Sequence, residues 1–183
     1  MKKCIFLGIF ALAVGGCISS KSTTAPGDVS TKRIATVAAF SGIYSNYGVD
    51  ADKRQQLSML EVLLRRSDPA LHSCDSVAVS IVNGDIILFQ GRTNGKLSST
   101  VLSYFHKEEY TFSKSVVYFK RKVGTVEHDW GGSHNNTYEK RFWLSRDEAL
   151  IIEESDRNTG FALGLVPAVR SEGNVYRYER KKG

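Results

Sequence analysis

Val77-Ala78-Val79-Ser80-Ile81-Val82-Asn83-Gly84-Asp85-Ile86-Ile87-Leu88-Phe89 is the stretch that decides the fold class. Val77, Val79 and Ile81 alternate with small residues, the period of a strand that buries one face. Val82-Asn83-Gly84-Asp85 is a tight-turn signal, because Asn-Gly accepts the left-handed backbone that a hairpin requires. Ile86 to Phe89 returns as the second arm. Further strands are expected at Leu97–Phe105, Glu109–Phe112, Val116–Lys122, Tyr138–Ser145, Ala149–Glu154, Phe161–Val166 and Asn174–Arg180. Turn clusters lie between them at Thr93–Lys96, Ser155–Gly160 and Ser171–Asn174. Short strands at close spacing with no helix among them predict a mainly β (α+β) fold, an antiparallel meander or open barrel-like sheet. In the segment 138–145, Tyr138, Lys140, Phe142 and Leu144 form a mostly apolar row, and Glu139, Arg141, Trp143 and Ser145 a mixed one. That is a half-exposed sheet. No internal repeat at solenoid periods is present.

One N-terminal helix is expected over residues 53–66, where Leu57, Leu60, Leu64, Met59 and Leu63 recur at helical spacing. Asp50 or Asp52 would cap its start, and Arg65 and Arg66 complement the dipole at its end. Asp68-Pro69 stops it. The plain reading packs this helix on the core. A membrane-surface helix would need an aromatic-rich face and a strongly basic one, and it has neither. Upstream, Val37–Asn46 is an apolar opening interrupted by Gly42, suited to a first strand or turn. Residues 18–32 are rich in Ser, Thr, Gly and Pro with almost no large apolar side chain, so they read as a flexible tether.

The chain has 183 residues, with 25 Lys and Arg against 19 Asp and Glu. Lys2 and Lys3 belong to an apparent leader, and without them the balance is 23 to 19. Basic clusters such as Lys120-Arg121-Lys122 are matched by acidic ones such as Glu153-Glu154. A dedicated nucleic-acid binder would show a denser basic face with aromatics among it, so no nucleic-acid partner is expected. The basic clusters read as solvated surface, with attraction to anionic lipid head groups as the sharper alternative.

Glu127-His128-Asp129-Trp130-Gly131-Gly132-Ser133-His134-Asn135-Asn136 is the segment densest in functional side chains. His128, Asp129, Trp130 and His134 are the candidate partner or ligand contacts. The plain reading is a hairpin loop. A metal site would need three or four converging ligands, and His-x5-His matches no common zinc spacing. A Ser133 nucleophile would need a base and an orienting acid that adjacency does not supply. Tyr104, Phe105, Tyr110, Phe112, Tyr118, Phe119, Phe142, Trp143, Tyr176 and Tyr178 all fall on expected strands. They make either an ordinary core or the lining of a groove for an apolar ligand. Cys74 follows Leu71-His72-Ser73. Its readings are a buried inert thiol, an intermolecular or redox contact, or a nucleophile with His72 nearby. No phosphate-cradling Gly loop, Cys-x-x-Cys pair or nucleophile elbow occurs, so no cofactor or metal is expected.

The N-terminal stretch completes the reading. Lys2-Lys3 is followed by the apolar run Cys4–Val14, too short for a helix to cross a hydrocarbon core of roughly 30 Å. The flanks fit a secretion signal. Val14-Gly15-Gly16-Cys17 resembles a bacterial lipobox. That resemblance implies cleavage before Cys17 and acylation (palmitate-type chains) on it, leaving Cys74 as the sole thiol, without an internal disulfide partner. The whole layout resembles a class of small, largely uncharacterised bacterial membrane lipoproteins. It runs from lipobox through tether, Gly42-Ile43-Tyr44-Ser45-Asn46 and a Leu-rich helix to hairpins ending in Tyr176-Arg177-Tyr178-Glu179-Arg180. The expected organisation is a signal peptide at 1–16, acylated Cys17 and tether at 17–33, and one β-rich periplasmic domain at 34–183. Ile18 after Cys17, in place of the Asp that retains enteric lipoproteins at the inner membrane, implies the outer membrane facing the periplasm. The expected function is a non-catalytic binding or structural module of the envelope, not an enzyme. It is held to the membrane by lipid, with an envelope protein as partner. The alternative is a periplasmic carrier of an apolar or lipid-like ligand. An envelope hydrolase or metal-dependent enzyme using His128, Asp129 and His134 is the third class.

Overall fold

The computed structural model describes residues 29–50, 57–65, 67–127, 133–162 and 166–182. The fold is mainly β and antiparallel. Its strands are β1 (Gly42–Ser45), β2 (Val49–Asp50), β3 (Ser76–Val82), β4 (Ile86–Thr93), β5 (Lys96–Phe105), β6 (Tyr110–Ser113), β7 (Val116–Glu127), β8 (Ser133–Leu144), β9 (Leu150–Ala162) and β10 (Val166–Tyr178). Among the described residues two short helices, α1 (Met59–Leu64) and α2 (Pro69–His72), lie between β2 and β3.

Hairpin chemistry sets the connections. Asn83 and Gly84 between β3 and β4 take φ of 53° and 76°, and Asn94 and Gly95 between β4 and β5 take 52° and 77°. Asn and Gly tolerate that backbone, so these turns form where the sequence signals them. Lys114 and Ser115 do the same between β6 and β7 without a glycine.

The strands divide into two open sheets, a four-stranded one ordered β1-β3-β4-β5 and a six-stranded one ordered β2-β10-β9-β8-β7-β6. The meander is broken where β5 leads into a 3-10 turn at Lys107–Glu109, which Glu109 holds by accepting from the His106 N–H at 2.8 Å. The sheets meet again at the chain's end: the Ser45 N–H donates to the Glu179 carbonyl, and the Lys181 N–H to the Ile43 carbonyl, both at 2.8 Å. The continuation of β10 thus serves as the next neighbour of β1.

Between the sheets the core is aromatic. Phe142 of β8 lies 4.9 Å from Phe40, 5.9 Å from Phe89 of β4 and 5.1 Å from Phe119 of β7, centroid to centroid. Phe105 of β5 closes the set at 4.5 Å from Phe119. Edge-to-face and tilted pairs of this kind add to the area they bury.

Four expectations are corrected. Among the described residues the helix runs over Met59–Leu64 alone, and its cap is Ser58, not Asp50 or Asp52. Ser58 and Glu61 form a reciprocal capping box. The Ser58 hydroxyl also donates to Asn46 Oδ1 at 2.9 Å, while Asn46 Nδ2 donates to the carbonyls of Leu71 and Cys74. A buried amide thereby ties α1 to the end of α2. Residues 155–160 and 171–174 are ladder, not turns: Ser155 pairs with Gly173 and Asn158 with Arg170. Backbone pairing needs no apolar side chains, so polar composition concealed the length of β9 and β10. The single strand expected at Phe161–Val166 is divided between two: Phe161 and Ala162 end β9 and Val166 opens β10, on opposite arms of that hairpin. Finally, Val29 to Lys32, assigned to the tether by composition, are docked. The Trp143 indole N–H donates to the Val29 carbonyl at 2.7 Å, and the Lys32 N–H to the Leu144 carbonyl at 2.7 Å. Val29 also packs with Trp143, Ile151 and Val175 on the far side of the large sheet.

Tyr178 carries a test of this packing. It is wholly buried, and its hydroxyl has no hydrogen-bond partner among the described residues. Burial pushes its phenol well above the usual range. A buried, unpaired hydroxyl costs about 1–3 kcal/mol of desolvation. Tyr178→Phe should therefore leave stability unchanged or raise it by about 1 kcal/mol in urea titration. A loss of that size would show that the hydroxyl is satisfied in solution.

Candidate functional site

The six-stranded sheet brings together side chains far apart in sequence. Tyr138 and Lys140 of β8 share its inward row with Phe142 and Leu144, and all four are buried. Opposite them on β9, Glu154 pairs with Lys140 and Asp156 with Tyr138. The C-terminal end of α1 lies over this row. The Lys140 ammonium donates to the carbonyls of Val62 (2.5 Å) and Leu63 (3.2 Å) and lies 3.2 Å from Glu154 Oε1. The last carbonyls of a helix have no partner within it, and a buried ammonium there satisfies them. The Tyr138 hydroxyl donates to the same Glu154 carboxylate. Burial first, and then the Glu154 charge, push the Tyr138 phenol far above its usual range, so it stays a donor at any working pH.

Arg65 ends α1 in the left-handed conformation, with φ of 52°. Its guanidinium stacks 3.8 Å from the Tyr138 ring centroid and bonds Asp156 at 3.1 Å. Two clefts open on either side of it. The first, about 290 Å³, has Leu63, Phe105 and Phe119 as its apolar floor and Arg65, Glu109, Tyr138 and Lys140 as its polar wall. The second, about 280 Å³, is lined by Leu57, Glu61, Val62, Arg65, Ser67 and Glu154. The arrangement suits a small amphiphilic group or a partner's side chain, with one apolar end and one hydrogen-bonding end.

The candidates named from sequence fall elsewhere. Cys17, His128, Asp129 and Trp130 lie outside the described residues. His134 belongs to β8, opposite Val126 and Gly160, so Ser133–Asn136 form strand where a loop was expected. Cys74 is buried and its thiol faces the Ala70 carbonyl at 3.8 Å. His72 Nε2 sits 3.0 Å from Glu61 Oε1. Among the described residues no group of three or more His, Cys, Asp or Glu is placed to hold a metal, and no helix is long and apolar enough to cross a membrane. Of the expected aromatics, Tyr110, Phe119, Phe142, Tyr176 and Tyr178 are core, whereas Tyr104 and Tyr118 are exposed. Arg65, Tyr138, Lys140 and Glu154 were read from sequence as a helix end, a strand row and an acidic cluster, not as one site. The available signal was Lys140 itself, a lysine standing in an otherwise apolar row.

No family model matches the chain, and no curated protein or solved structure matches it.

Proposed function

We propose that this protein is a lipid-anchored bacterial envelope lipoprotein whose β domain is a non-catalytic binding or structural module. One observation carries the choice of module over carrier. Phe40, Phe89, Phe105, Phe119 and Phe142 fill the space between the sheets with rings in mutual contact. Among the described residues, the two clefts at Arg65, about 290 and 280 Å³, fall just below the roughly 300 Å³ lower bound of small-molecule sites. A carrier of a whole lipid needs a lumen, whereas a binding module needs a recess for one side chain or head group. The anchor rests on Val14-Gly15-Gly16-Cys17, and the address, the outer membrane facing the periplasm, on Ile18.

Intact-mass analysis of the protein from its native membrane, under conditions that keep bound ligands, tests both halves. The expected result is a chain starting at Cys17 with acyl mass on that residue and nothing else bound. Cys17→Ser should abolish the acyl mass. A native protein without acyl mass at Cys17 would overturn the anchor. A co-purifying non-covalent lipid would favour the carrier.

A further inference from the structure

We infer that one end of the domain is a membrane-facing surface that docks on anionic lipid head groups, at the point where the lipidated N-terminus enters the fold. The inference deepens the proposed lipoprotein function and rests on it for the anchor. Strand direction gathers the parts. In an antiparallel meander the β6–β7 turn, the β8–β9 turn and the end of β10 lie at the same end of the sheet. The N-terminal segment crosses that end: Thr31 bridges Ser145, the Lys32 N–H donates to the Leu144 carbonyl, and the Ile34 N–H donates to Ser115 Oγ at 3.0 Å.

The charges at this end do not balance. Its described carboxylates are all engaged. Glu148 is shared by Lys32 and Arg180, Asp147 and Glu179 are held by Arg177, and Asp75 takes Lys181. Arg33, Lys114, Arg146 and Lys182 remain, all exposed and without an acidic partner among the described residues. Arg33 and Lys114 flank the Ile34–Ser115 contact, Arg146 follows Ser145, and Lys182 follows Lys181. The mature chain carries an excess of only four positive charges, so among the described side chains this end holds a surplus comparable to the whole. Only Cys17 to Asp28, 12 residues, separate the acylation site from docked Val29, a reach of at most about 40 Å. That leash keeps the basic end near the bilayer, and within a Debye length of about 8–10 Å the lipid's negative potential attracts it.

The test is binding of the full chain to vesicles of phosphatidylcholine with about one-third phosphatidylglycerol, against phosphatidylcholine alone. The preference for the anionic vesicles should fall about fivefold in each of Arg33→Ser, Lys114→Ser and Arg146→Ser, and on the order of a hundredfold in the triple variant. Lys107→Ser, which removes the same charge from the 3-10 turn before β6, should leave the preference unchanged. Equal loss in Lys107→Ser, or no loss in the triple variant, would overturn the docking surface. Mass analysis of Cys17 separates the two ideas. Acylation without anionic preference leaves the anchor and removes the surface; the preference without acylation does the reverse.

Discussion

Phe142→Ala should destabilise the protein by about 3–5 kcal/mol, the largest loss expected from a single core truncation here. Phe142 is fully buried at the point where the two sheets and the N-terminal 3-10 turn Val37–Phe40 converge. Its ring meets Phe40 edge-on at 4.9 Å with planes at 88°, Phe89 at 5.9 Å and 87°, and Phe119 at 5.1 Å and 43°. Removing it leaves a cavity walled by three other rings, each held by its own strand or turn, so the site cannot collapse to refill it. The cost is then transfer free energy plus cavity. A domain of this size is stable by roughly 5–15 kcal/mol, so the variant should unfold at a much lower urea concentration with an unchanged slope. Phe142→Leu, which keeps most of the volume, should cost about half as much. A loss below about 1 kcal/mol in the alanine variant would mean that the sheets are not packed through this ring.

What the sequence disclosed of this fold, and what it concealed, follows the range of the interactions. The hairpins at Asn83-Gly84 and Asn94-Gly95 are legible because positive φ is a property of the turn residues themselves. The capping box was equally local, Ser58 three residues before Glu61, but the leucine periodicity drew the helix start upstream toward Asp50 and Asp52. The full reach of β9 and β10 was hidden, because residues 155–160 are polar while the ladder that pairs them is made by the backbone. Docking of Val29–Lys32 was hidden for a related reason: a Ser/Thr-rich segment gains its hold from carbonyls and from one indole supplied by β8. The cleft at Arg65 was out of reach altogether. Leu63, Phe105, Phe119 and Tyr138 come from four elements, and no spacing links them.

Lys140 is where that cleft and the stability of the fold meet, and Lys140→Ala is expected to cost about 3–5 kcal/mol. The side chain is 5% exposed and its Glu154 partner 15%, so solvent screens the pair little. Truncation takes the ammonium from three groups at once: the Val62 and Leu63 carbonyls at the end of a six-residue helix, and the Glu154 carboxylate, which keeps the Tyr138 hydroxyl but loses its countercharge. A helix that short has no stability of its own. It holds its place through the capping box at one end and the Lys140 ammonium at the other. Lys140→Met keeps the aliphatic stem and isolates the charge, and should still lose about 2–4 kcal/mol. Pairing it with Glu154→Gln removes the carboxylate that the methionine strands, and should recover about 1 kcal/mol or more as a coupling energy. Urea titration of the two single variants and the double one reads this directly. If the double variant is merely additive, the ammonium acts through the helix carbonyls alone, and Glu154 belongs to Tyr138. If Lys140→Met is silent, the ammonium is solvated in solution, α1 is not fixed by β8, and the cleft between Arg65 and Tyr138 has no rigid wall against which to bind a partner.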